Sequence, residues 1–333
     1  MIQNNKIPFE LSDYVLKSRF REIAEHQGFL NSKKIMLAVS GGGDSTALAY
    51  FFHKYHDGKF IIAHVNHLLR GKDAFKDQNF VAELASKMNV DFIPIVISIN
   101  DNKLKGESTE TAARRIRHSE LIKIAISNQI DGIALGHNRD DLAETVLFNI
   151  LRGSGIRGAL GIPETNVISG IKFYRPLLNF RRDFLREFLK VRNINWCEDY
   201  TNQDNIYTRN FIRLELLPII SEKINSNSIE HLAEFAEDMR KIRSDEESKS
   251  SILLESVKIS DYKLDAKKLK SFSNYELNLI IRELGRRLNL VTLSRHRCDE
   301  LSKLISKGDA FIFQWGGGFS IKSKGGILNV EIS

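Results

Sequence analysis

Through the first half of the chain, short apolar runs alternate with stretches whose apolar positions recur every three to four residues. The runs at 35–39, 60–65, 92–97 and 133–135 predict strands, and the stretches at 46–53, 73–88, 109–129 and 140–151 predict helices. This βαβ alternation predicts an α/β fold with a doubly wound parallel sheet, in which ligands bind at the carboxyl ends of the strands. Around Pro218 the pattern changes to a long polar helical stretch at 219–242 and then a charged, serine-rich segment at 243–251, which predicts a domain boundary. Beyond it, 273–287 and 294–306 read as helices, while 311–315, 319–322 and 327–330 read as short strands joined by glycine turns, a small α+β module. The expected organisation is a main domain at 1–217, a helical linker at 218–251 and a C-terminal domain at 252–333.

Composition narrows the class. With 333 residues and 42% apolar content the chain is neither disordered nor fibrous. No apolar run approaches the roughly 20 residues that span a bilayer. Residues 1–6 also lack the apolar core of a signal peptide, so a cytoplasmic protein without membrane contact is expected. Cys197 and Cys298 lie far apart in sequence and support neither a disulfide framework nor a cysteine zinc site. The net charge of +7 favours a polyanionic partner, but it is also common among proteins that bind nothing acidic.

The densest chemistry follows the first predicted strand. In Ser40-Gly41-Gly42-Gly43-Asp44-Ser45, three glycines let the backbone turn sharply and present successive N–H groups to an anion. Ser45 and Thr46 are expected to cap a helix whose positive end faces the same point. This predicts a phosphate cradle. No lysine follows the glycines, so the Walker pattern fails, and Asp44 and Ser45 break the dinucleotide pattern. A carboxylate repels bare phosphate, so Asp44 predicts a Mg²⁺ that bridges phosphate oxygens. A tight turn that binds nothing is the competing account.

At the end of the second predicted strand, His67 and Arg70 are candidates for contact with base or phosphate; a polar strand end facing water accounts for them equally. Arg114 and Arg117 share a helix face and suit leaving phosphates, with a solvated basic face as the alternative. The fourth strand runs into a second cluster holding His137, Asn138, Asp140, Asp141 and Glu144. Asn138 as N-cap and Asp141 as its capping-box partner explain part of it. A histidine and three carboxylates at one strand end also suit fixing a metal or an amine and moving a proton. The glycine-broken basic loop at 152–158 follows, and is either a cover for a bulky partner or an ordinary loop.

Together these segments resemble the tRNA(Ile)-lysidine synthetases of the PP-loop (N-type) ATP pyrophosphatase superfamily. Residues 40–45 fit the superfamily's S-G-G-x-D-S. More specific are 135–145 continuing into 152–158, and Arg175-Pro176-Leu177-Leu178 with Trp196, Glu198-Asp199, Thr201-Asn202, Arg209-Asn210 and Arg213. The likeness runs from about residue 34 to 218; beyond that it rests on architecture and length.

The resemblance implies an adenine nucleotide alpha hydrolase-like PP-loop domain at 1–217 and a tRNA-binding domain at 252–333. It implies ATP and Mg²⁺ as cofactors, L-lysine and tRNA(Ile) with the anticodon CAU as partners, and a homodimer. The implied reaction adenylates the wobble cytidine at its C2 oxygen, releases pyrophosphate, and lets the lysine ε-amine displace AMP. Ser40, Gly41, Gly42, Gly43, Asp44, Ser45 and His67 would hold the nucleotide, with Asp44 on the metal. Arg114 and Arg209 would stabilise developing charge. Asp141 and Glu144 would seat or deprotonate the lysine, with His137 near the reacting base.

Basic residues between Lys172 and Arg192, read as helical, together with Arg209 and Arg213, would meet the tRNA backbone. Three positions depart from the family pattern: Asn138 for a frequent second histidine, Asn66 for aspartate and His118 for tyrosine. The chain is also shorter than members with an additional C-terminal module, which implies different contacts to the far end of the tRNA. Two alternatives stay open. A PP-loop enzyme of tRNA thiolation would need paired cysteines, and a non-catalytic RNA-binding protein would have no use for the intact loop and acidic cluster.

Overall fold

The structure, a computed structural model, describes residues 8–66, 72–98, 102–198 and 208–332. Packing divides it into two compact units, Met1–Ala236 and Glu237–Ser333. In the first unit α1 (Asp13–Gln27) precedes β1 (Lys34–Ala38), α2 (Gly43–Tyr55), β2 (Lys59–Asn66), α3 (Lys72–Met88) and β3 (Phe92–Val96). There follow α4 (Thr109–Ser127), β4 (Gly132–Leu135), α5 (Arg139–Leu151), α6 (Gly155–Ala159), β5 (Thr165–Ile168), β6 (Ile171–Tyr174) and α7 (Arg182–Lys190). The strand order is β3-β2-β1-β4-β6-β5, parallel except for the edge strand β5.

Alternation within the strands builds a core on each face of the sheet. Ile35 and Leu37 of β1 join Phe20 of α1, Phe51 of α2, Leu84 of α3 and Phe188 of α7. Met36, one residue out of phase, joins Ile61 and Ile133 and meets Ala112 and Ile116 of α4 on the opposite face. Phe51 anchors the first core, with ring centroids 4.7 Å from Phe188 and 5.2 Å from Phe180. Because β2 and β4 flank β1 on opposite sides, the chain reverses direction across the sheet between them. The crevice at the carboxyl ends of β1 and β4 is therefore a topological switch point.

After α7 come α8 (Thr208–Phe211), one π-helical turn (Ile212–Leu216), α9 (Leu217–Lys223) and the 30-residue α10 (Ser228–Val257). The expected linker at 218–251 corresponds to α9 and most of α10, and the division between units falls inside α10. The second unit contains β7 (Lys258–Ser260), β8 (Lys263–Asp265), α11 (Ala266–Leu269), α12 (Asn274–Arg287), α13 (Arg295–Lys307), β9 (Phe311–Gly316), β10 (Phe319–Lys324) and β11 (Ile327–Ile332). Its sheet is antiparallel in the order β7-β8-β11-β10-β9, and Ile280, Leu284, Leu301 and Ile305 pack on Phe313, Trp315 and Leu328.

Two local expectations are corrected. The stretch expected to be helical from Lys172 begins as strand β6 and becomes helical only at Arg182, because Ile171–Tyr174 pairs with both β4 and β5. The helix after the glycine loop, α2, begins at Gly43 and not at Thr46; its N-cap is Gly42, so neither Ser45 nor Thr46 caps it.

Phe51→Ala is expected to destabilise the first unit by about 3–5 kcal/mol through the cavity left among the phenylalanines. Urea unfolding followed by far-UV circular dichroism measures this.

Candidate active site

The segment joining β1 to α2 is held by its own hydroxyls. Ser45 Oγ accepts from the backbone N–H of Ser40 and of Gly41, each at 3.2 Å, and donates to the Gly42 carbonyl at 3.0 Å. Thr46 Oγ1 donates to the Gly41 carbonyl at 3.1 Å. Gly41 has φ 97, which a side-chain-bearing residue adopts only with strain. With glycine at the N-cap, no side chain caps the start of α2, and an uncapped helix N-terminus is the setting that an anion site requires.

The end of β4 presses against this loop. A Cβ on Gly136 would lie 3.1 Å from Ser45 Cα and 3.2 Å from the Asp44 carbonyl, so only glycine lets the two strand ends approach. Immediately after it α5 starts with the expected capping box: Asn138 Oδ1 accepts from Asp141 N–H at 3.0 Å and Asp141 Oδ2 accepts from Asn138 N–H at 3.0 Å. Cys197 N–H donates to the Gly41 carbonyl at 2.9 Å, and Trp196 packs beside Gly43, so a strap from after α7 backs the loop.

A single guanidinium organises the carboxylates. Arg182, in the first turn of α7, donates through Nη2 to Asp141 Oδ1 at 3.1 Å and to Glu144 Oε1 at 2.9 Å, and its Nε lies 3.8 Å from Asp44 Oδ2. It is aimed by its own backbone: Arg182 N–H donates to Asp140 Oδ2 at 2.8 Å, and the Phe180 carbonyl accepts from Arg139 N–H at 2.9 Å. Burial alone would loosen the Arg182 proton, but Asp141, Glu144, Asp44 and Asp140 together raise its pKa further. Burial pushes Asp141 up, yet Arg182 and neighbouring charges pull it below the usual carboxylate range. In Glu144 burial and the nearby Asp141 charge prevail, and its carboxyl sits above that range. Arg209 and Arg213 approach the same carboxylate more loosely, at 3.7 Å and 3.8 Å, from α8 and the π-helical turn.

Among the buried polar atoms of the crevice, Asp44 Oδ1, His137 Nδ1, Arg117 Nε and Arg182 Nε have no hydrogen-bond partner, while the Asn138 side chain bonds the Asp44 carboxylate. Burial pushes the Asp44 carboxyl up against the pull of Arg182 and of that hydrogen bond. Burial, assisted by Arg175, Arg117 and Arg209, pushes His137 down to about 3, so its imidazole is neutral at physiological pH. The His118 ring stacks on Phe173 at 5.3 Å, doing with an imidazole what an aromatic side chain would do there. Such orphaned atoms are costly in a finished core and mark where a ligand's polar groups fit. Asp44 Oδ1 suits a hard cation completed by phosphate oxygens and water. Among the described residues no cluster of three or more His, Cys, Asp or Glu side chains encloses a metal.

Of the residues singled out from sequence, Ser40 to Ser45, His137, Asp141, Glu144 and Arg209 converge on this crevice. Arg114 lies exposed on α4, and its charge reaches Arg117 and His118. His67 and Arg70, with Asp199, Thr201 and Asn202, lie outside the described residues. Most of the basic stretch at 172–192 is engaged within the protein. Arg175 donates to the Pro163 carbonyl and Asn166, Arg181 pairs with Asp140, and Arg192 pairs with Asp13 and covers the Phe188 ring. Arg182 is the residue that sequence reasoning misplaced, as part of a tRNA-facing surface. Its signal was the uncompensated charge of Asp44, Asp141 and Glu144, which requires a buried cation.

The sequence matches the PP-loop domain family over residues 13–220. The chain belongs to the PP-loop family. It is 36% identical over 224 residues to the tRNA(Ile)-lysidine synthase of Clostridioides difficile (strain 630), covering 66% of this chain and 47% of that protein. It is 37% identical over 220 residues to the enzyme of the same name from Clostridium perfringens, covering 64% and 46%. The chain thus spans about half the length of the curated relatives it matches. Among solved structures, the U34-tRNA thiolase NcsA from Methanococcus maripaludis superposes with a TM-score of 0.56 at 16% identity over 67% of this chain and 78% of that one, a likeness of fold. Among the described residues no helix is long and apolar enough to cross a membrane.

Arg182→Ala is expected to cost about 3–5 kcal/mol of stability, since it leaves buried carboxylates facing one another, and Arg182→Lys is expected to recover only part, lacking the planar fork. Denaturant titration of both variants checks this. For Asp44 the folded state holds the proton more tightly than the unfolded one. Its ionisation therefore opposes folding, and stability falls as pH rises from the ordinary carboxylate range through the raised value. Asp44→Asn is accordingly expected to raise the melting temperature of the ligand-free protein at pH 7, as differential scanning calorimetry would measure.

Proposed function

We propose that this protein joins L-lysine to C2 of the wobble cytidine of tRNA(Ile) bearing the anticodon CAU, consuming ATP and giving lysidine, AMP and pyrophosphate. The observation that carries the reading is the uncapped glycine loop at the switch point, with Asp44 Oδ1, His137 Nδ1 and Arg117 Nε left without hydrogen-bond partners beside it. They are groups without partners in a site whose loop suits phosphates. The names of the relatives supply the substrate class.

In this reading the amides at Gly42 to Ser45 receive the β- and γ-phosphates, and Asp44 would hold a Mg²⁺, which would supply positive charge against the triphosphate. Arg117, with Arg114 behind it, faces the charge that leaves with pyrophosphate. The cytosine C2 oxygen attacks the α-phosphorus, pyrophosphate departs, and the base becomes an O-adenylate. The lysine ε-amine then adds at C2, and the C2–O bond breaks to release AMP. An alkylammonium has a pKa of about 10.4 and must shed a proton before it attacks.

Glu144, whose carboxyl is raised while Asp141 is lowered, is the better acceptor of that proton, and the two carboxylates divide the work as base and fixed charge. Arg182 remains their counter-ion. The looser cations Arg209 and Arg213 can turn from Glu144 to the adenylate phosphate when the ammonium arrives. A neutral His137 is suited to hydrogen-bond the base and not to store a proton. The Cys197 thiol, pushed up to about 12 by burial and a hydrogen bond to Asp77, is no thiolate, and Cys298 is buried in the second unit's core, so nothing here favours sulfur transfer.

Incubation with ATP, Mg²⁺, labelled lysine and the CAU transcript is expected to give lysine-dependent label in tRNA and stoichiometric AMP. Arg117→Ala is expected to lower kcat by about 10²-fold or more. Label without AMP, or ADP in its place, would overturn the assignment.

A further inference from the structure

The second unit holds a cavity of about 190 Å³ that the reaction above does not use. Its floor is apolar, formed by Ala266, Ile305 and Leu328, and its lining carries Lys267, Lys270 and Lys324 against one carboxylate, Asp309. Two glycines bring the ammonium groups to it. Gly308 closes α13 in the left-handed conformation at φ 75, and a Cβ there would overlap the end of the Lys270 side chain. Gly326, at φ 80 in the turn between β10 and β11, leaves room for the Lys267 stem, which passes 3.2 Å from where its Cβ would be. The absence of these side chains leaves room for Lys270 beside the end of α13 and for Lys267 beside the β10–β11 turn, both at the cavity.

Among the described residues none of these lysines is ion-paired, although ion pairs are frequent elsewhere in the unit. Asp265, beside them in sequence, is engaged in capping α11, accepting from the N–H groups of Lys267 and Lys268. The three lysines are exposed, and like charges gathered around one concavity repel one another, a repulsion that a bound anion relieves. Three ammonium donors match the oxygens of a tetrahedral dianion or diester better than a planar carboxylate.

We propose that this cavity is a phosphate-binding site. Its occupant is a phosphate group, carried either on an RNA backbone or on a free ion such as pyrophosphate. The reading is independent of chemistry in the first unit, because it is tested at lysines of the second.

Lysine acylation footprinting of the full chain, read by mass spectrometry, separates the outcomes. The protein is treated alone, with the CAU tRNA transcript, and with inorganic pyrophosphate at matched ionic strength. Lys267, Lys270 and Lys324 are expected to lose reactivity by about threefold or more in at least one arm, while Lys303, exposed on α13 outside the cavity, stays reactive. Protection by tRNA alone assigns the backbone phosphate; protection by pyrophosphate assigns the free ion. Lys324→Glu is expected to abolish protection at Lys267 and Lys270 while leaving the circular dichroism spectrum unchanged. Full reactivity in both arms, or equal protection of Lys303, would overturn the proposal whatever happens to lysine incorporation.

Discussion

The burial of Arg182 among Asp44, Asp141 and Glu144 is the constraint around which the candidate site is built. Carboxylates so close at a strand end repel one another and lose hydration, and none would ionise readily without a cation at the same depth. The guanidinium answers both problems, because its planar fork reaches two carboxylates while its Nε faces a third. Its position in turn depends on Asp140, which takes the backbone amide of Arg182 and the side chain of Arg181. The acidic cluster on α5 is therefore divided: Asp140 fixes the start of α7, Asp141 closes a helix cap, and Glu144 is left with a proton affinity raised by burial. One sequence motif carries structural and chemical duties at adjacent positions.

That arrangement explains why the site is quiet toward solvent yet incomplete. Carboxylates and guanidinium groups face one another within it, while atoms on Asp44, His137 and Arg117 have no partner. Such groups are costly where no partner reaches them, which is why they single out this crevice as the candidate site. The contacts of Glu144 differ in kind as well, with Arg182 hydrogen-bonded to it and Arg209 and Arg213 held at longer range. The π-helical turn that carries Arg213 belongs to this picture, since such local distortions re-aim side chains at functional sites.

The parallel sheet, its core faces and its strand–loop–helix punctuation were legible because they follow from local rules. A buried strand alternates in the core it feeds, as Ile35, Met36 and Leu37 do, and a glycine run after a strand allows few turns. The capping box of Asn138 and Asp141 was readable for the same reason, as its partners are three residues apart. Cap and loop chemistry were less secure where two local solutions compete: Ser45 could have capped the helix but closes the loop, leaving the helix amides open.

What the sequence by itself determined, then, was the order of elements, the glycine loop after β1 and the polar residues concentrated at two strand ends, since these depend on neighbours within a few residues. Tertiary structure alone decided that β1 and β4 lie side by side, that Arg182 turns inward while its neighbours tie down other segments, and that Lys172 begins in a strand. Charge patterns in sequence count cations without saying which are buried. A guanidinium finds its carboxylates across dozens of intervening residues, and that pairing, set by desolvation and distance, has no local trace.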